Sequence, residues 1–248
     1  MSQLKSWALA LCAVLSVETS GPSLFSDSVT HVLLRHMMRG VTAAGPGDWV
    51  SYRADAGGGR VSFWRFSVVG TEKDSFGRDS LWIEIELGQD RDLRAPLAQI
   101  RLLVVRDTGL SNEGIARLFV ALGADKPHEV SPEQLGRILQ SVPNPPARSI
   151  ATGGETIRSR PETRLMTQAG ILPAVPIEIY QEGSLLQRIW MSYRLPLLHL
   201  AKLEMPAIGH VMEVIGFGTD AQPRMVLPAA GELKARPETK LLSTAPAP

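Results

Sequence analysis

The sequence predicts an α+β fold, mainly antiparallel β, in which a curved sheet or half-open barrel of about nine to eleven strands is covered by two or three helices. Three observations predict it. Leu81, Ile83, Ile85 and Leu87 alternate with Trp82, Glu84 and Glu86, the period of a strand with one buried face. Turn residues punctuate the apolar runs, as at Gly57-Gly-Gly59, Glu182-Gly183 and Pro206 to Gly209. Between two blocks of strand pattern stands one well-marked helix start, Ser131-Pro-Glu-Gln134, with an N-cap serine, proline at the first helical position and glutamine at the third.

The elements follow in order. Ser26-Asp27 can cap a helix over 28–39, where Val29, Val32, Leu33 and His36 or Met37 recur at helical spacing before Gly40. Strands are expected over 48–54, 61–69, 80–87 and 99–105. The last is apolar on both faces apart from its arginines, and so is expected under helices. Ser111 opens a predicted helix carrying Ile115, Leu118, Phe119 and Leu122 at i, i+3, i+4 and i+7, stopped by Gly123. The helix from Ser131 carries Leu135, Ile138 and Leu139, and ends at Pro143-Asn-Pro-Pro146. Further strands are expected over 155–160, 163–168, 175–181, 185–193, 197–204 and 210–217. In this reading residues 1–20 are a signal peptide, residues 23–225 form a single β-rich domain with a helical insertion at 110–142, and 226–248 is a flexible tail. Leu81, Ile83, Ile85 and Leu87 then face the helices, and Trp82, Glu84 and Glu86 face outward.

Composition narrows the function. Of 248 residues, 44% are hydrophobic and 21% charged, which is enough for a substantial core. A formal net charge of +1, without a Lys/Arg block, argues against nucleic acid as a partner. The N-terminus has the order of a secretory leader: Lys5, an apolar run from Trp7 to Val17, then small and polar residues to Pro22. That run is too short to span a bilayer, and no later run approaches the length needed. The only cysteine, Cys12, lies inside the run, where Leu11 is too bulky for a lipidation site. Removal of the leader leaves a chain without disulfides, held by its core alone, which suits a bacterial periplasm.

A search for chemistry finds little. His199 and His210 flank Glu204, the makings of a two-histidine, one-carboxylate metal site. Without a His-x-His or Cys spacing they read as partly exposed strand residues near a hairpin. No Gly-x-Ser-x-Gly elbow and no phosphate-binding Gly-Lys-Ser/Thr loop is present. Gly216-Phe-Gly218-Thr-Asp-Ala221 has part of a dinucleotide fingerprint, but Gln222-Pro223 follows where a helix should begin. Glu84 and Glu86 read as a solvated face paired across the sheet with arginines such as Arg65 or Arg101. No catalytic residue and no cofactor is assigned. What remains is binding: Trp64, Phe66, Ile83, Ile85, Ile189, Met191 and Tyr193 are candidates to line an apolar cavity between sheet and helices.

Gly47-Asp-Trp-Val-Ser-Tyr52, opening a meander, resembles the start of periplasmic lipoprotein-carrier-like (LolA/LolB-like) domains and their exported relatives. So does the run Arg188-Ile-Trp-Met-Ser-Tyr-Arg-Leu-Pro-Leu-Leu-His-Leu-Ala-Lys-Leu-Glu204. The resemblance spans about Phe25 to Gln222 and implies a half-open antiparallel barrel with helices across its mouth, holding acyl chains. It carries no specific ligand-binding residue onto this chain. The expected function is an exported, periplasmic, non-catalytic protein binding a lipid, acyl chain or other apolar ligand. The alternative is a cell-envelope assembly or interaction protein with a filled core, and a hydrolase or metalloenzyme comes third.

Overall fold

The computed structural model describes residues 41, 43–57, 59–106, 108, 114–141 and 155–228, and the side chains of all of these except 138–141 and 155. The expected leader, Cys12, the helix over 28–39 and most of the expected tail lie outside the described residues.

Alternation of apolar and polar side chains becomes a single antiparallel sheet. Its strands are β1 (Trp49–Asp55), β2 (Val61–Lys73), β3 (Asp79–Gly88), β4 (Ala98–Val105), β5 (Ile115–Leu122), β6 (His128–Glu129), β7 (Glu155–Ser159), β8 (Thr163–Thr167), β9 (Gly170–Gln181), β10 (Ser184–Met191), β11 (Leu200–Met205) and β12 (His210–Gly218). They run in the order β6-β5-β4-β3-β2-β1-β12-β11-β10-β9-β7, with β8 paired to the first half of β9. Among the described residues the sheet thus has twelve strands where nine to eleven are expected, and it is open, with β6 and β7 at its ends. The link that closes N-terminal onto C-terminal strands is β1 against β12, with Trp49 opposite Gly218 and Asp55 opposite Val211.

Registers place the apolar side chains on one face, called here the inner face. Tyr52 lies opposite Trp64 and Trp64 opposite Leu87, while Phe66, Ile85, Ile100 and Val120 form a row across four neighbouring strands. A second row runs Ile177, Ile189, Leu203, Met212 and Ala54. Most of these residues belong to one buried cluster. Turn chemistry sets the registers. Glu182 and Gly183 both have positive φ, 51° and 82°, as a two-residue hairpin turn with the twist of the flanking strands requires.

Among the described residues the helical cover is thinner than expected. Among the described residues one α-helix is complete, α1 (Pro132–Ser141). It begins where the sequence says: Gln134 N donates to Ser131 Oγ and Ser131 N donates to Gln134 Oε1, both at 3.2 Å, a reciprocal capping box. Leu135 from this helix is buried in the inner cluster. Ser131→Ala should therefore cost about 1 kcal/mol, seen as loss of helical signal and a lower thermal midpoint.

The second expected helix is a strand. Ile115 to Leu122 form β5, paired with β4 so that Leu102 faces Leu118 and Arg101 faces Phe119. Leu118 and Val120 enter the inner cluster, whereas Phe119 and Ala121 are buried on the opposite face with Met225. A short run that is apolar on both faces satisfies i, i+3, i+4 and i+7 as well as it satisfies period two, and the burial of both faces decides for the strand. The described part of the span 110–142, residues 114–141, is accordingly two strands and a helix.

Candidate functional site

Each face of the sheet carries a candidate. On the inner face, six of the seven predicted lining residues come together: Phe66, Ile83, Ile85, Ile189 and Met191 are buried in the cluster, and Trp64 packs against its edge. The rings of Trp64 and Phe66 stack at 6.5 Å, and Tyr52 meets Phe66 edge-on at 6.0 Å. Tyr193 is not among them. It sits beyond the end of β10, is 65% exposed, and touches the His199 ring at 5.2 Å. Its period-two position in the 185–193 run is lost because β10 ends at Met191. The chain then folds Leu195, Leu197 and Leu198 into the core, with Leu197 and His199 at positive φ.

Tyr52 is the inner-face residue that the sequence reading passed over. It is fully buried, and its hydroxyl has no hydrogen-bond partner among the described residues. Burial pushes the phenol well above its ordinary pKa, so it stays a neutral donor. Its place in an alternating Val50-Ser-Tyr52 pattern is the available signal, but a tyrosine there reads as core.

The opposite face corrects the reading of Glu84 and Glu86. They do alternate away from Ile83 and Ile85, but both side chains are fully buried rather than solvated. Arg101 Nε donates to Glu84 Oε2 at 3.0 Å, and Arg101 Nη2 donates to the same oxygen. This bears out the expected pairing with Arg101. Gln99 Nε2 donates to Glu86 Oε1 at 3.2 Å. Arg65, the other expected partner, stands opposite Glu86 in register but stacks its guanidinium 4.4 Å from the Trp49 ring centre. Its Nε is buried without a hydrogen-bond partner.

What buries the two carboxylates is the chain after β12. Arg224 N donates to Glu84 Oε1 at 2.9 Å and Met225 N donates to Glu84 Oε2 at 3.1 Å. The Arg224 guanidinium donates to Glu86 Oε2 at 3.2 Å and to the carbonyls of Asp92 and Leu93 at 3.1 and 2.7 Å. Burial raises the Glu86 carboxyl above its usual range, and the Glu84 charge adds to this. Arg224, Gln99 and Arg65 oppose it.

The three metal candidates do not assemble. Among the described residues no three His, Cys, Asp or Glu side chains are gathered as a metal would need. His199 Nδ1 lies 2.7 Å from Leu195 O. Glu204 pairs with Lys202 at 2.8 Å and with Arg188 at 3.8 Å. That ladder continues to Glu178, which accepts from Arg188, Arg160 and Tyr180. His210 opens β12, and burial holds its imidazole below the ordinary value against the opposing charge of Asp55. The native state therefore takes up its proton at lower pH than the unfolded chain. The contribution is present above the unfolded pKa of about 6.5 and is lost as pH falls through the lower native value. His210→Gln should flatten the fall in thermal midpoint between about pH 7 and pH 5 relative to the parent protein.

The partial dinucleotide fingerprint resolves as the end of β12 and a turn, with no helix after it. Among the described residues, no helix is long and apolar enough to cross a membrane.

No protein-family model matches the sequence, and no curated protein matches it. Among solved structures the chain is similar to MucB in its complex with MucA(peri), at 11% identity and a TM-score of 0.40. That match covers 78% of this chain but only 58% of the MucB chain. It is also similar to a Bacteroides fragilis protein described as exported and of YmcC-like fold, at 7% identity and a TM-score of 0.31, over 70% of this chain and 96% of that one. A third likeness is to a domain of Vibrio parahaemolyticus described as an outer membrane lipoprotein-sorting protein. It has 9% identity and a TM-score of 0.28, over 74% of this chain and 89% of that one.

Proposed function

We propose that the chain is an exported, periplasmic, non-catalytic protein that holds a lipid, an acyl chain or another apolar ligand against the inner face of its sheet. The leader-like order of residues 1–20 supports export. The ligand reading is carried by the Tyr52 hydroxyl, a fully buried donor without a partner among the described residues, set in the apolar face that holds six of the seven predicted lining residues. A buried hydroxyl left unsatisfied is costly, and the polar end of a bound amphiphile would satisfy it. The apolar rows formed by Trp64, Phe66, Ile83, Ile85, Ile189 and Met191 would take the hydrocarbon. The second reading, an envelope assembly protein with a filled core, is favoured by the deep burial of these same side chains except Trp64.

Native mass spectrometry of protein exported through its own leader separates the two. A lipid-sized adduct, and uptake of a fluorescent fatty acid after delipidation, are expected from the first. Absence of both sinks the first and leaves the second.

A further inference from the structure

We infer that the face opposite the inner cluster carries a docking slot for an extended Arg–apolar peptide, which the chain's own Arg224–Met225 segment fills in cis. A partner protein presenting the same pair would fill it in trans. The slot does not depend on the inner-face reading, because it lies on the other side of β3.

The slot reads three features of a peptide. Glu84 uses its two oxygens to accept two consecutive backbone N–H groups, those of Arg224 and Met225, which fixes the main-chain course without regard to side chain. Glu86 together with the carbonyls of Asp92 and Leu93 surrounds a guanidinium, which a lysine ammonium, with no planar fork, would not span. Met225, 2% exposed, packs with Phe119 and Ala121, flanked by Trp82 and Leu227. Charge complementarity selects a cation. Glu84 has Arg101 as a buried partner, while Glu86 has among its close contacts the amide of Gln99 and the guanidinium of Arg224. Arg65, the other nearby cation, is turned onto Trp49.

The segment that fills the slot is not part of the sheet. It leaves β12 at Gly218 and is pinned first where the Trp49 indole donates to Asp220 Oδ1 at 2.7 Å. Ala221 N then donates to Gly47 O at 2.8 Å. Between this hinge and the slot, Gln222 and Pro223 are exposed, and beyond it Val226 is 84% exposed. The anchored stretch is thus a short strap held by one arginine, one methionine with Leu227 packed beside it, and two main-chain hydrogen bonds, with exposed residues at 222, 223 and 226. Such a strap can lift without unfolding the sheet, and another chain offering the same pair meets the same carboxylates.

The test uses a fluorescent peptide of the sequence of residues 219–228, Thr-Asp-Ala-Gln-Pro-Arg-Met-Val-Leu-Pro, with the full-length protein and its Arg224→Ala/Met225→Ala variant. Anisotropy should show the variant binding the peptide at least tenfold more tightly than the parent, whose slot is occupied. The same peptide with alanine in place of its arginine, or of its methionine, should lose at least tenfold on the variant. Equal binding to parent and variant, or indifference to the peptide's arginine, overturns the proposal. Hydrogen exchange on the parent protein keeps the test open should the variant not fold. The amides of Arg224 and Met225 should exchange at least 100-fold faster than those of Ile83 and Ile85. Exchange at the same rate as those core amides would show that the strap leaves only with global unfolding, and would also overturn the proposal.

Discussion

Glu84→Ala is expected to lower the free energy of unfolding by about 3–5 kcal/mol, read as a fall in the urea midpoint with an unchanged slope. The size follows from what is left behind. The Glu84 side chain is fully buried and its partner Arg101 is only 9% exposed, so truncation strands a guanidinium in a dry environment. It also removes the acceptor of the Arg224 and Met225 amides, and the strap loses its main-chain anchor. Breaking a buried pair is costly, whereas replacing both members by apolar side chains of like volume is often neutral or better. Glu84→Leu with Arg101→Met should therefore recover the part of the loss due to the stranded guanidinium, and leave the part due to the strap's missing acceptor. The contrast on the same protein is Lys73–Asp79, whose side chains are 68% and 77% exposed: Asp79→Ala should leave the urea midpoint nearly unchanged. A loss at Glu84 no larger than at Asp79 would mean that the carboxylate is solvated after all.

That pair also shows where the sequence stops being legible. Alternation along β3 assigns Glu84 and Glu86 to the face opposite Ile83 and Ile85, and Glu84's partner Arg101 is readable from the neighbouring strand. Their burial is not. It comes from Arg224 and Met225, far along the chain in a stretch of Gln, Pro and Val with no periodicity to announce a contact. β5 is misread for the same reason. Phe119 on a helix and Phe119 on a strand differ only in what covers the second face, and here that cover is again Met225. Local signals succeed where the chemistry is local, as in the Ser131–Gln134 capping box and the Glu182–Gly183 turn. Gly47 lies between the two cases. Its sequence context marks a turn, but its need for glycine is non-local: at φ 95° an added Cβ would lie 2.3 Å from the Thr219 carbonyl oxygen, where the strap begins.

The two faces are coupled by construction, since β3 presents Ile83 and Ile85 to one candidate site and Glu84 and Glu86 to the other. A shift of β3 by one residue would exchange them, placing carboxylates in the apolar cluster. The Glu84–Arg101 and Ile83–Leu102 pairs on either side hold that register. The residues of the docking slot therefore also fix the inner face.

Tyr52→Phe is the second test, and its sign carries the information. In delipidated protein the change removes a buried hydroxyl that has no partner, at nearly constant volume, so stability should rise by about 1–2 kcal/mol. In protein loaded with a fatty acid the same change removes the donor to the ligand's polar end. Affinity should then fall about tenfold, a loss of about 1.4 kcal/mol that cancels the gain, so the loaded variant and the loaded parent should melt at nearly the same temperature. A gain in the delipidated protein that disappears on loading is the signature of a hydroxyl kept for a ligand. A gain in both states, with fatty-acid affinity unchanged, would make Tyr52 a tolerated fault in a filled core and favour the assembly reading. A loss in the delipidated protein would show that the hydroxyl is satisfied within the chain, and the observation that carries the ligand reading would be gone.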